Sequence, residues 1–225
     1  DSFRTPLEPS LTPTRELLST VYLMQVAVRT GRSMLLLGES GSGKTALMHT
    51  RAWASNAVHI VDTHAWMTNV NQLQSSVHGY MSRLYKNVYG PGPSRKNIVV
   101  AIDDMHVPAD TTLHGTCRSL LDAGSWVVAG SPAEVRQLRG VSLILASSME
   151  SNVLHPQFQR HFFVVRLNEI SKESLVQIAT GFVNSFPHAL QDALHNVRGE
   201  LQQVMSFIVA AGRMLASSQR SVCEN

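Results

Sequence analysis

Gly38-Glu39-Ser40-Gly41-Ser42-Gly43-Lys44-Thr45 decides how the rest of this sequence is read. It fits in full the pattern Gly-x-x-x-x-Gly-Lys-[Ser/Thr] of the phosphate-binding P-loop. Glycines let backbone N–H groups turn inward around phosphate oxygens, and the helix that follows adds the positive end of its dipole. Lys44 then stands as a point charge at the outer phosphates, and the Thr45 hydroxyl as a magnesium ligand. All eight residues are therefore candidate contacts for ATP or ADP with Mg2+. The flanks agree: Ser33 to Leu37 is an apolar run suited to a buried parallel strand, and a helix is expected from Gly43-Lys44 through Met48 into the early fifties. Ser40 and Ser42 have no His/Asp arrangement that would make either a nucleophile.

Outward from the loop, Leu17, Leu18, Val21, Met24 and Val28 recur at helical spacing between Thr14 and Arg29, with Gly31 placed to end that helix. Phe3 to Pro13 reads as an irregular lead-in. A second strand is expected at Val58 to Val61. Leu73, Val77, Tyr80, Met81 and Leu84 fall on one helical face, which predicts a helix from Asn69 to Tyr85. Gly90-Pro91-Gly92-Pro93-Ser94 reads as a loop. Further strands are expected at Ile98–Ile102, Ser142–Ala146 and Phe162–Leu167, with a helix at Leu113–Leu121. Strands alternating with helices argue for an α/β fold with a doubly wound, mostly parallel sheet. From Ser171 the pattern is helical throughout, opening on a capped helix at Ser171-Lys172-Glu173-Ser174 and repeating between Glu200 and Leu215. The expected division is a nucleotide-binding core over 1–168 and a small, apparently truncated helical lid over 169–225.

Composition limits the alternatives. The chain has 225 residues, 44% of them hydrophobic, and a net charge of +3 spread along its length. That is ordinary for a soluble globular protein and gives little support to nucleic-acid binding. The two cysteines, Cys117 and Cys223, have no partners at metal-ligand spacing, which fits a reducing compartment such as the cytosol. No apolar run is long enough to cross a bilayer, and no charged-then-apolar leader opens the chain. The first residue is Asp1, so a piece of a longer protein is expected. The histidines are scattered without a His-x-x-x-His pair, and Trp53, Trp66 and Trp126 read as core or partner contacts.

Ile98-Val99-Val100-Ala101-Ile102-Asp103-Asp104 supplies the second motif. A buried strand ending in an acid projects its carboxylate from the edge where open α/β sheets bind ligands. Asp103 is thus a candidate magnesium ligand through the ion's water shell, beside Thr45. Asp104 stands where many ATPases place the glutamate that orients attacking water. It is one methylene shorter, and the alternative is a solvated turn residue.

With these residues in hand the chain resembles AAA+ ATPases, and within them a dynein heavy-chain motor, most closely the third of its six ring modules. Tyr89-Gly90-Pro91, Lys96 and Ile102-Asp103-Asp104-Met105-His106-Val107-Pro108 carry the likeness. Leu11-Thr12-Pro13 resembles the lead-in that contacts the adenine side, and Thr111 to Asp122 the helix after the second motif. Pro156-Gln157-Phe158-Gln159-Arg160-His161-Phe162 resembles a Pro-Arg-Phe-Leu-Arg-His-Phe element. By this resemblance Arg160 corresponds to an arginine finger reaching a neighbouring module's nucleotide; the alternative is a surface arginine pairing with a nearby acid. Ser147 or Ser148 corresponds to the polar sensor at the end of a strand, or only ends that strand. Gln157 replaces the family's first arginine, and no sensor-two arginine is identifiable, Arg198 and Arg213 being the late candidates.

The resemblance implies a regulatory site with slow or conditional ATP hydrolysis in a microtubule motor, cytoplasmic and cytoskeletal, with an axonemal flavour. Its partners would be neighbouring AAA+ modules of the same heavy chain, and microtubules only indirectly. Nucleic acid and membrane are not expected. Two alternatives stand beside it: a non-hydrolysing structural nucleotide module, and an unrelated AAA+ ATPase such as a helicase loader.

Overall fold

The computed structural model describes residues 12–54, 58–92, 97–107, 111–149 and 156–184. In chain order the elements are α1 (Arg15–Thr30), β1 (Met34–Gly38), α2 (Lys44–His49), β2 (Val58–His64), α3 (Val70–His78), β3 (Met81–Tyr85), β4 (Val88–Pro91) and β5 (Asn97–Asp103). They continue with α4 (Thr111–Ala123), β6 (Ser125–Val128), β7 (Ser131–Leu138), β8 (Val141–Ser148), α5 (Pro156–Gln159), β9 (Phe163–Leu167) and α6 (Lys172–Asn184).

Five strands form the main sheet in the order β2-β5-β8-β1-β9, and every pairing is parallel. Parallel strands need crossovers that cover both faces, so their sequences become continuous apolar runs instead of alternating ones. Met34, Leu35 and Leu36 in β1, Ile98 to Ile102 in β5, and Leu143 to Ala146 in β8 accordingly lose all but a trace of their exposure. Each such side chain contributes about 1.5–3 kcal/mol by leaving water. α1 ends as Gly31 allows. Its φ of 65° lets the Gly31 and Arg32 N–H groups donate to the carbonyls of Val28 and Ala27 at 3.2 and 2.9 Å, closing the helix as a Schellman motif. α2 stops at His49, short of the early fifties.

The largest departure from expectation is a second sheet, ordered β3-β4-β7-β6. The helix expected over Asn69–Tyr85 ends at His78, and Met81–Tyr85 instead pairs antiparallel with Val88–Pro91. Gly90 and Pro91 therefore belong to a strand, while Pro93 and Ser94 lie outside the described residues. The helical match at Tyr80, Met81 and Leu84 was a coincidence of spacing: Tyr80 and Leu84 are about half exposed. Asn69 caps α3 through a reciprocal pair with Gln72, which marks the start of that helix well. The turn between β3 and β4 runs through Lys86 at φ 42°, with no glycine to announce it. β6 and β7 form a second hairpin around Gly130.

The buried Gln74 amide joins α3 to this sheet, donating to the Val127 carbonyl at 2.7 Å and accepting from Ala129 N–H at 2.8 Å. Trp126 enters the main core with Val77, Leu113, Leu120 and Leu138. Its ring meets His78, which in turn meets Tyr89 edge-on at 5.1 Å. Burial, with the Arg136 charge 2.6 Å away as second cause, holds the His78 imidazole below its ordinary value of 6.5. A lowered histidine binds its proton more readily in the unfolded chain, so stability is full above 6.5 and falls as pH drops through that value. We expect the unfolding midpoint to decline from pH 7 to pH 5, and His78→Gln to flatten that decline; an unchanged slope would contradict the assignment.

Residues Ser19–Glu169 make one compact unit, and the described residues before and after it, 12–18 and 170–184, belong to a second. In the second unit Ser171 caps α6, its Oγ accepting from Ser174 N–H at 3.2 Å. The Ser174 hydroxyl donates to Glu16 at 3.0 Å. The helix expected over Glu200–Leu215, Arg198, Arg213 and Cys223 lie outside the described residues. Among the described residues, no helix is long and apolar enough to cross a membrane. Cys117 is buried in the core, and burial pushes its thiol up to about 12, so it stays protonated and unreactive.

Candidate functional site

β1 carries the chain to the carboxyl edge of the main sheet, and the P-loop leaves from there into α2. Gly43 adopts φ 89°, a left-handed conformation that costs a side-chain-bearing residue free energy. It caps α2 without a side-chain bond, so the first-turn N–H groups are not claimed by a capping side chain. Gly38 is needed for a different reason: a Cβ there would stand 2.5 Å from Ser42 Oγ and 3.1 Å from Leu167 Cβ. The loop closes on itself through Ser42 N–H donating to the Glu39 carbonyl at 3.2 Å.

Lys44 is buried, and its ammonium lies back along the loop. Nζ donates to the Gly38 and Glu39 carbonyls at 2.8 and 2.7 Å and approaches Ser42 Oγ at 3.5 Å. Charge-assisted bonds of this kind are stronger than neutral ones, so the lysine fixes the loop's shape as well as its charge.

Opposite the loop stands the tip of β5. Asp103 is 3% exposed; its Oδ1 accepts from Asp104 N–H at 2.9 Å, and its buried Oδ2 has no hydrogen-bond partner among the described residues. Such an oxygen is costly unless something charged or polar completes it. Asp104 sits at φ 54°, an uncommon conformation for a residue with a side chain and one that often marks a functional position. β8 lies between β1 and β5, with Gly38 in register with Ser148 and Leu37 with Ser147.

These elements enclose a cavity of about 620 Å3 lined by Ser40, Gly41, Gly43, Lys44, Thr45, Ala46, Asp104, His106 and Ser148. The two serines separate clearly: Ser148 faces the cavity, whereas Ser147 is fully buried in the sheet, its hydroxyl 3.4 Å from the Ser148 carbonyl. Gly38, Glu39, Ser42 and Asp103 are not among the lining residues; Glu39 and Ser42 take part in closing the loop on itself. Leu11 lies outside the described residues; Thr12 and Pro13 belong to the second unit, where the Gln177 amide donates to the Pro13 carbonyl at 3.0 Å. Arg160 is exposed and reaches Asp122 at 3.4 Å, as does His161 at 2.7 Å. Partial desolvation raises the Asp122 carboxyl, but Arg118, His161 and Arg160 together outweigh it and hold the group below the usual carboxylate range.

His106 was not assigned a role from sequence. It sits in the cavity wall and accepts from Ser148 N–H through Nδ1 at 3.4 Å, linking the β5 and β8 tips. A single histidine in a loop carries no pattern that would have found it.

The chain is similar to known proteins in sequence and in fold. Over 189 residues the chain is 28% identical to dynein axonemal heavy chain 12 of Rattus norvegicus, covering 78% of this chain and 6% of that one. It is 26% identical over 228 residues to human dynein axonemal heavy chain 9, covering 96% of this chain and 4% of the relative. The chain thus spans only a small part of the length of these relatives. Among solved structures, NtrX from Brucella abortus in complex with ADP superimposes with a TM-score of 0.50 at 12% identity, over 77% of this chain and 41% of that one, a likeness of fold. The family model described as the P-loop containing dynein motor region matches residues 3–170. That match covers well over half of the chain, and the chain belongs to the P-loop-containing dynein motor region family.

Proposed function

We propose that this chain is an AAA+ module of a dynein heavy chain that binds ATP or ADP with Mg2+ and serves as a regulatory nucleotide site. The observation that carries this reading is the cavity itself. P-loop residues including Lys44 line one part of it and Asp104 with Ser148 another, and the residue before Asp104, Asp103, carries the orphaned Oδ2. Those donors and acceptors fit a magnesium nucleotide, which is the ligand chemistry of P-loops. When bound, Mg2+ would neutralise charge on the transferring phosphate. Thr45 and Asp103 would hold it, Lys44 would carry the outer phosphates, and Asp104 would orient water. Ser148 takes the sensor role here in preference to Ser147, which faces away. Leu11, Thr12 and Pro13 are proposed for the adenine side, and residues 169–225 for a partial helical lid following a core over 1–168.

Arg160 is proposed to act in trans on a neighbouring module, with Asp122 holding it until that neighbour arrives. The chain alone would then bind nucleotide but turn it over poorly, since it lacks the finger that completes its own site. Neighbouring modules of the same heavy chain are the proposed partners, microtubules being reached only through the rest of the motor. A cytoskeletal, ciliary location is proposed from the axonemal relatives. A non-hydrolysing module is the second reading, favoured by the short Asp104 side chain and its left-handed backbone.

Two measurements test this. Titration of fluorescent ATP and ADP should give saturable binding that depends on Mg2+; no binding at millimolar nucleotide would overturn the reading. In the assembled motor, Asp104→Asn should slow turnover at this module. Zero hydrolysis at this module in the assembled ring at saturating ATP would favour the second reading instead.

A further inference from the structure

A second feature lies directly behind the cavity, at the tips of β2 and β5. His64 ends β2 and stands in register with Asp103, which ends β5. Ligand atoms of His64, Asp103 and Asp104 all lie within 4.8 Å of one another. Two of the three residues carry buried atoms without hydrogen-bond partners among the described residues: Nδ1 of His64 and Oδ2 of Asp103. A small cavity of about 90 Å3 opens beside both. An imidazole nitrogen and a carboxylate oxygen, each buried and unsatisfied at the same strand row, are expensive unless a shared partner completes them.

We propose that His64, Asp103 and Asp104 form a binding site for a divalent transition-metal cation of the Mn2+ to Zn2+ range. Donors about 2.1 Å from a common ion stand up to roughly 4.2 Å apart. Side-chain adjustments of a few tenths of an ångström therefore bring these three onto one ion. The nitrogen donor decides the class of metal. Mg2+ favours an all-oxygen octahedron and retains its waters, whereas imidazole beside two carboxylates suits Mn2+, Co2+ or Zn2+. Rigid backbone sets the site: the Asp103 carbonyl accepts from Ala65 N–H at 2.9 Å, and Asp103 Oδ1 is anchored by Asp104 N–H, leaving Oδ2 for the ion. The site shares Asp103 with the nucleotide reading but does not rest on it, because none of its donors needs a phosphate.

The test is a Mn2+ titration of the nucleotide-free chain followed by electron paramagnetic resonance, with pulsed detection of nitrogen coupled to the ion. One tightly bound Mn2+ with a directly coordinated 14N signal is expected, displaced by Zn2+ and poorly by Mg2+. His64→Gln should abolish the 14N signal and weaken binding at least about tenfold, while Mg2+-dependent nucleotide binding persists. That last readout separates failure of the metal site from failure of the nucleotide reading. Asp104→Asn, at a partly exposed position that is less demanding for folding, should weaken Mn2+ at least about tenfold yet retain the 14N signal. Absence of bound Mn2+, a 14N signal that survives His64→Gln, or unchanged affinity in Asp104→Asn would each overturn the proposal.

Discussion

Lys44→Ala should raise the dissociation constant for Mg2+-ATP by roughly 10- to 150-fold, the equivalent of the 1.5–3 kcal/mol carried by a hydrogen bond to a charged group. The effect has two sources. A positive charge is lost from the phosphate side of the cavity, and the Gly38 and Glu39 carbonyls lose the donor that holds them at 2.8 and 2.7 Å. The loop then samples shapes in which its N–H groups no longer converge. Lys44→Met keeps the buried stem but removes the charge and its bonds together, so it should weaken binding much as Lys44→Ala does. Lys44→Arg should not rescue binding, because a planar fork cannot occupy the space of a compact ammonium at a buried position. Equal affinity of Lys44→Ala and parent by calorimetry would sink the assignment of the cavity.

The largest effect on stability is expected from Trp126→Ala, about 3–5 kcal/mol. Trp126 is 2% exposed and, with Leu138 of β7, carries the second sheet into the main core. Its loss leaves a cavity among Val77, Leu120 and Leu138 that backbone held by the β6–β7 hairpin cannot close. For a chain of this size that loss lowers the melting temperature by roughly 6–20 °C. Trp126→Phe should cost much less, since its ring keeps part of the packing and the indole N–H it removes has no hydrogen-bond partner among the described residues. Trp66 is the control: it is 52% exposed, and Trp66→Ala should change stability by no more than about 0.5 kcal/mol. Similar losses for the two tryptophans would contradict the packing described.

The parts legible in the sequence were those with one dominant physical cause. Buried parallel strands produce continuous apolar runs, so β1, β5 and β8 stand out. Gly31, which the sequence places at the end of α1, closes it in left-handed backbone, whereas the Asn69–Gln72 box that starts α3 and the left-handed Gly43 emerge only in the structure. The second sheet was hidden because its strands are short and half exposed, and because the Lys86-Asn87 turn lacks glycine. Residues 125–138 gave no periodicity strong enough to read. Among site residues, the loop and Asp103–Asp104 are contiguous and self-announcing. His64 and His106 are not, since each acquires its place only when separate strand tips meet. Ser147 and Ser148 are told apart only by the folded chain, in which Ser147 is fully buried and Ser148 lines the cavity.

The order of strands in the main sheet sets the width of the pocket. The loop and the acid pair sit on β1 and β5, with β8 interposed, and neighbouring strands are spaced about 4.8 Å apart. The gap across the pocket is therefore two strand widths, roughly 9.6 Å, a gauge set by backbone pairing and independent of side-chain identity. Substitutions can retune what the walls do, trading turnover for mere retention, while the aperture stays the same width. A module can thus lose its chemistry and still keep its ligand.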